Sequence, residues 1–176
     1  KSTFNTSRRI IYSDAIIPIL DETFLLYTGA GDSRKNLKGL LEAYSLLPSQ
    51  KLKQFKLVLA GKLAIPEKKL IDQWIQSYGI ESKNVIQTGY ISDDDLVGLY
   101  RNCYLFVFPS FHEGFGLPVL EAMSCGAPVI GSNTTSIPEV IGKSDAMFDP
   151  DDPNNINQLI QKVLYNTQFR EELVIN

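Results

Sequence analysis

Residues 104–131 read YLFVFPSFHEGFGLPVLEAMSCGAPVIG. Tyr104 to Phe108 is an apolar run of strand length, which predicts a strand buried on both faces. Pro109 to Leu117 carries Gly114 and Gly116 and reads as a loop. Pro118 sits where a first helical residue is favoured, Gly126 stands just past the helix end at Cys125, and Pro128 to Gly131 resumes as a strand. A buried strand, a short loop, a helix and a second buried strand make a parallel crossover unit.

The same alternation runs outward in both directions. Strands are expected at Phe24–Thr28, Phe55–Ala60, Val85–Thr88 and Ala146–Phe148. Helices are expected at Asn36–Leu47, where Pro48 stops the element, and at Glu67–Tyr78, with Leu70, Ile71, Trp74, Ile75 and Tyr78 turned inward. Others follow from the Ser92 cap to Asn102, at Ile137–Ile141, from Asp152-Pro153, and at Phe169–Val174. Six alternations predict an α/β fold: a Rossmann-like, doubly wound parallel sheet of about six strands with helices on both faces. Residues 1–22 are weakly patterned and read as a linker or the edge of an absent N-terminal domain, with the Rossmann-like domain over 23–176.

Composition narrows the function classes. Of 176 residues 44% are hydrophobic, which suits a globular domain, and the net charge of −3 gives no footprint for nucleic acid. No apolar run approaches the roughly 20 residues of a membrane span, so a cytoplasmic protein is expected, with any membrane contact made through the absent domain. Cys103 and Cys125 read as buried free thiols. One histidine and no Cys/His cluster leave no zinc signature. The triple acid Asp93-Asp94-Asp95 follows Ser92 and reads as a helix cap rather than a metal site.

Ligands of such sheets bind at the carboxyl ends of the strands. The loop after the first strand, Gly29-Ala30-Gly31-Asp32-Ser33-Arg34-Lys35, has G-x-G but no third glycine, and no acid follows the second strand; a nicotinamide dinucleotide is therefore not expected. The loop delivers Arg34 and Lys35 to a helix N-terminus, as phosphate ligands or as plain surface residues. Lys62, directly after a buried strand and Gly61, is expected at the same rim as a ligand contact. In the quoted stretch, Glu113 and Glu121 bracket the amides of Gly116 and Leu117. Carboxylates accept hydrogen bonds from vicinal hydroxyls and free amides bind phosphate. A ligand with hydroxyls at both ends of a diphosphate, a nucleotide sugar, fits that order. His112 is expected as an exposed loop residue, with a role as base left open by its neighbour Glu113; Trp74 is expected in the core.

Glu113 and Glu121 within SFHEGFGLPVLEAMSCGAPVIGSNTTSIPEVIG form an E-x7-E motif that resembles that of the retaining family-4 (group 1) glycosyltransferases. GAGDSRKNLKGLLEAY, LVLAGK, VIQTGYISDDDLVGLYRNCYLFVFPS and DPDDPNNINQLIQKVL resemble further segments of that family's C-terminal domain, over about residues 24–165. The resemblance implies a GT-B enzyme that transfers a sugar from a UDP- or GDP-linked donor to a hydroxyl acceptor, the acceptor being bound by an N-terminal domain absent from these residues. It implies Glu113 on the donor sugar hydroxyls and Glu121 on the ribose. The backbone of Phe115, Gly116 and Leu117 would meet the diphosphate, Lys35 would neutralise it, and Tyr90 and Ile91 would border the base. No metal or other cofactor is implied. Many members carry an arginine after the first glycine where this chain has Ala30; Arg34 and Lys62 are the cations available to stand in for it. A non-catalytic nucleotide-sugar-binding module and a GT-B-type sugar-nucleotide epimerase are the other readings.

Overall fold

The computed structural model describes residues 12–29 and 32–174. Its centre is one sheet of six strands: β1 (Phe24–Thr28), β2 (Lys56–Ala60), β3 (Val85–Gly89), β4 (Leu105–Phe108), β5 (Val129–Ser132) and β6 (Met147–Phe148). Every pairing is parallel and the spatial order is β3-β2-β1-β4-β5-β6. All five residues of β1 and all four of β4 are buried, which explains their apolar runs: a central parallel strand has no wet face.

The helices are α1 (Ile17–Leu20), α2 (Leu37–Ser45), α3 (Ser49–Gln54), α4 (Ile65–Ser77), α5 (Asp93–Asn102), α6 (Leu117–Ser124), α7 (Ile137–Ile141), α8 (Pro153–Tyr165) and α9 (Thr167–Glu172). α2 packs against α4 and α8 on one face, and α5, α6 and α7 follow one another on the other. Asn157 ties α8 to α2 by donating its amide to the Ala43 carbonyl at 2.8 Å. The doubly wound sheet expected from the alternation is therefore present.

Local differences have physical reasons. Pro48 does stop α2, but it also precedes a new helix, α3, because its missing N–H costs nothing at a helix start. α4 begins two residues earlier than its apolar stripe suggests, at Ile65, and the Glu67 carboxylate accepts from the Ala64 amide. Leu70, expected inward, is 44% exposed, and Trp74 and Tyr78 are only partly buried. α6 begins at Leu117, so Pro118 is its second residue. Of the stretch expected as a linker, residues 1–11 lie outside the described residues. The remainder packs on the domain: Ile16 and Ile19 are in the core, and the Ser13 amide donates to Asp95 at 2.8 Å.

The triple acid is a cap. Ser92 Oγ accepts from the Asp95 amide and the Asp95 carboxylate accepts from the Ser92 amide, a closed capping box. Burial alone would raise the Asp95 carboxyl, but the bonds from Ser13 and Ser92 prevail and hold it below the usual range. Both cysteines are free. Cys103 is buried and its thiol is pushed up to about 12 by burial; Cys125 is only half-buried.

Candidate functional site

The strand order reverses between β1 and β4, so the loops after these two strands diverge and leave a crevice. A cleft of about 270 Å³ lies there, lined among others by Lys35, Lys62, Tyr90, Ile91, Pro118 and Glu121. Lys62, Tyr90 and Ile91 sit just past strand ends, Lys35 ends the turn that follows β1, and Pro118 and Glu121 lie in the first turns of α6. Close approach at its floor depends on Gly61. Its φ is 135°, and a Cβ there would lie 3.1 Å from the Gly29 carbonyl oxygen.

After β1 the chain makes a one-turn 3-10 helix, Ser33–Lys35. Lys35 leaves it toward the cleft. Its Nζ donates to Glu113 Oε1 at 2.5 Å and lies 5.1 Å from the Phe108 ring centroid. The lysine and glutamate side chains are only 22% and 13% exposed. Ser110, fully buried, donates to the same Oε1 at 2.7 Å. The Glu113 amide donates to Thr135 Oγ1 and the Ser136 hydroxyl donates to the Glu113 carbonyl, so the loop after β5 clamps the backbone of this glutamate. Glu113 is thus fixed on one carboxylate oxygen: among the described residues, both hydrogen bonds to its side chain go to Oε1.

Arg34 takes the other direction. Its guanidinium grips Asp32 through three contacts, the shortest 2.6 Å, and is 68% exposed. The Arg34 hydrogen bond holds the Asp32 carboxyl down at about 2. The Arg34 carbonyl accepts from the Phe111 amide, which pins the turn to the loop after β4.

Glu121 faces the cleft from the second turn of α6. Burial raises its carboxyl above the usual range, aided by repulsion from Asp93, against a hydrogen bond at 3.4 Å from the Tyr100 hydroxyl. α6 has no side-chain cap, Pro118 has no N–H, and the amides of Gly116 and Leu117 stand at its N-terminal end. Gly116 has φ 85°, a left-handed turn that aims this end. Phe115 and Leu117 are each 58% exposed, and neither lines the cleft. Tyr90, at 81% exposure, stands at the cleft mouth. His112 is exposed. Among the described residues no group of three or more His, Cys, Asp or Glu is placed to hold a metal ion, and no helix is long and apolar enough to cross a membrane.

Several residues that support this site carry no motif signal: Ser110, Tyr100, Thr135 and Ser136. The loop 131–136 is expected at the rim from topology alone, but only the fold shows that it grips Glu113.

A profile described as "Glycosyl transferases group 1" matches residues 13–176. Serotype-specific mannosyltransferase WbdA of Escherichia coli is 47% identical over 154 residues, covering 88% of this chain and 19% of that protein. O-antigen chain mannosyltransferase B of Escherichia coli is 43% identical, covering 84% of this chain and 38% of that protein. The chain therefore spans about a fifth to two-fifths of the length of these relatives. Among solved structures, sucrose-phosphate synthase from Thermosynechococcus elongatus superposes with a TM-score of 0.80 at 28% identity, covering 92% of this chain and 42% of that one.

Proposed function

The chain belongs to the group 1 glycosyltransferases, and on that premise we propose that its cleft holds a nucleoside-diphosphate sugar whose hexosyl group is transferred to a hydroxyl acceptor. The observation that carries this reading is the set of groups gathered at the crevice: Glu121, Lys35 and Lys62 line the cleft, α6 opens beside it with the Gly116 and Leu117 amides, and Glu113 is held by Lys35. Carboxylates, amines and helix-end amides together suit the hydroxyls and the diphosphate of a nucleotide sugar. The likeness to WbdA and mannosyltransferase B favours a mannosyl donor, UDP- or GDP-linked.

In this reading Glu121 accepts from the ribose hydroxyls and Tyr100 orients it. Tyr90 and Ile91 border the base. The amides at the start of α6, with the backbone of Phe115, take the diphosphate. Lys35 and Lys62 meet the charge that grows as the sugar departs with oxocarbenium character. This charge needs no metal partner in the scheme, because two ammonium groups and a helix end supply the counter-charge. Arg34 joins only if it leaves Asp32; otherwise it keeps the turn in place. Glu113 offers its second oxygen to a sugar hydroxyl, and transfer retains the anomeric configuration. The acceptor is taken by a part of the protein outside these residues.

The test is calorimetric titration with UDP, GDP and their hexose conjugates, repeated on Glu121→Ala and Lys35→Ala. Each change removes a hydrogen bond to a charged group, worth about 1.5–3 kcal/mol, so each should weaken the preferred ligand roughly 10- to 150-fold. Binding of neither nucleotide, or affinity unmoved by both substitutions, removes the donor-cleft assignment. Product analysis without acceptor separates transfer from epimerisation.

A further inference from the structure

A second cavity, of about 360 Å³, opens on the other side of the Ser33–Lys35 turn. It shares no lining residue with the cleft above: Lys35 faces the cleft, while Asp32 and Ser33 face this cavity. The first half of α2 lines it with Leu37, Lys38, Gly39 and Glu42. Trp74 of α4 walls one side and Phe111, from the loop after β4, another. Neither ring is closed over: Phe111 is 38% exposed and Trp74 is only partly buried. The volume is within the range of small-ligand pockets, roughly 300–1,000 Å³.

The charge pattern narrows what it would hold. The carboxylates of Asp32, Glu42 and Asp151 line it, against one lysine, Lys38, which has no ion-pair partner among the described residues. Three carboxylates disfavour a phosphate or other anion. A cation gains little, because Asp32 is already neutralised by Arg34, Glu42 accepts from the Tyr78 hydroxyl at 3.0 Å, and Lys38 repels. What remains suited is a neutral ring with apolar C–H faces for the aromatic side chains and hydroxyls for carboxylates that accept from two sides.

We propose that this cavity is a saccharide site separate from the donor cleft, holding a neutral sugar ring of a glycan against Trp74 and Phe111. The proposal stands on the cavity and does not require the donor reading. It places a glycan on the α2 face of the domain while the cleft works on the far side of the same turn.

Trp74 is the single tryptophan of the chain, so its emission reports this cavity directly. Linear α-linked mannose oligomers and methyl α-hexosides are titrated while that emission is followed, and binding to Phe111→Ser, Trp74→Leu and Glu42→Gln is measured by calorimetry. A saturable emission change is expected, with binding weakened at least fivefold in Phe111→Ser and Trp74→Leu and unaltered in Glu121→Ala. Saccharide binding that Glu121→Ala or a nucleoside diphosphate abolishes would put the sugar in the donor cleft and overturn the proposal. So would no saturable change with any saccharide, or a response to tetramethylammonium in place of the sugars. Failure of the donor reading leaves the emission experiment intact, because its signal and its variants belong to this cavity.

Discussion

Replacing Lys35 by methionine keeps the aliphatic stem over Phe108 but removes the ammonium from Glu113. The pair is short, at 2.5 Å, and mostly shielded, at 22% and 13% exposure, so it lies between the surface pairs that contribute almost nothing and the buried pairs whose rupture costs several kcal/mol. A charge-assisted hydrogen bond of this kind contributes about 1.5–3 kcal/mol. For a chain of this size that corresponds to a fall in Tm of about 3–12 °C. Glu113→Gln should cost less, because an amide oxygen can still accept from Lys35 and Ser110 and the lysine keeps its place over the Phe108 ring. Urea unfolding of Lys35→Met, of Glu113→Ala, which removes the acceptor altogether, and of the double variant gives the coupling directly. A coupling of about 1 kcal/mol or more is expected, and moderate salt should leave most of it because the pair is shielded. Additive single effects, with coupling below about 0.3 kcal/mol, would show that Lys35 does not hold Glu113 in solution, and the geometric basis for a preformed sugar-facing carboxylate would go with it.

Stability should also carry a signature of Asp95. Its folded carboxyl is held below the usual range, so its contribution is fully present above the ordinary carboxylate pKa and is lost as pH falls through the depressed folded value. The stability gap between the protein and Asp95→Asn should therefore shrink between about pH 7 and about pH 3 in urea titrations; a gap that widens toward acid contradicts the assignment. Gly116→Ala should destabilise by about 1–2 kcal/mol from its left-handed backbone alone. The new Cβ would also lie 2.8 Å from Ile137 Cδ1, and a Tm within about 1 °C of the parent would show that the turn into α6 is not held at φ 85°.

Most of the sheet was legible because its central strands are buried on both faces and their apolar runs, such as Phe24–Tyr27 and Leu105–Phe108, have no other use. α3 was not, since Pro48 marks both a stop and a start. Ile16 and Ile19 lie in a stretch too short and too mixed to show periodicity, and their burial depends on a partner surface. At the site, loop position sufficed to bring Lys35, Lys62 and Glu121 to the cleft, with Glu113 against Lys35. The contact between Lys35 and Glu113 spans 78 residues, and the Thr135 and Ser136 clamp comes from yet another loop; neither leaves a local pattern. Nor does the sequence reveal that Arg34 folds back on Asp32, which is decided by the turn geometry of three residues.

The position of β1 bears on how the chain comes together. β1 is the first strand in the sequence, yet it pairs on one side with β2 and on the other with β4, Leu25 lying opposite Leu105. During synthesis at about 5–20 residues per second, those intervening 80 residues take roughly 4–16 s to emerge. Until β4 arrives, the buried strand β1 is an open edge, first unpaired, then beside β2 and last in the half-sheet β3-β2-β1, with unpaired N–H and C=O groups along it. Closure of the crevice and protection of that edge are one event, the arrival of β4. A ribosome stalled just before Leu105 would therefore display an aggregation-prone strand, and variants that delay β4 pairing should lower soluble yield more than they lower the stability of the finished fold.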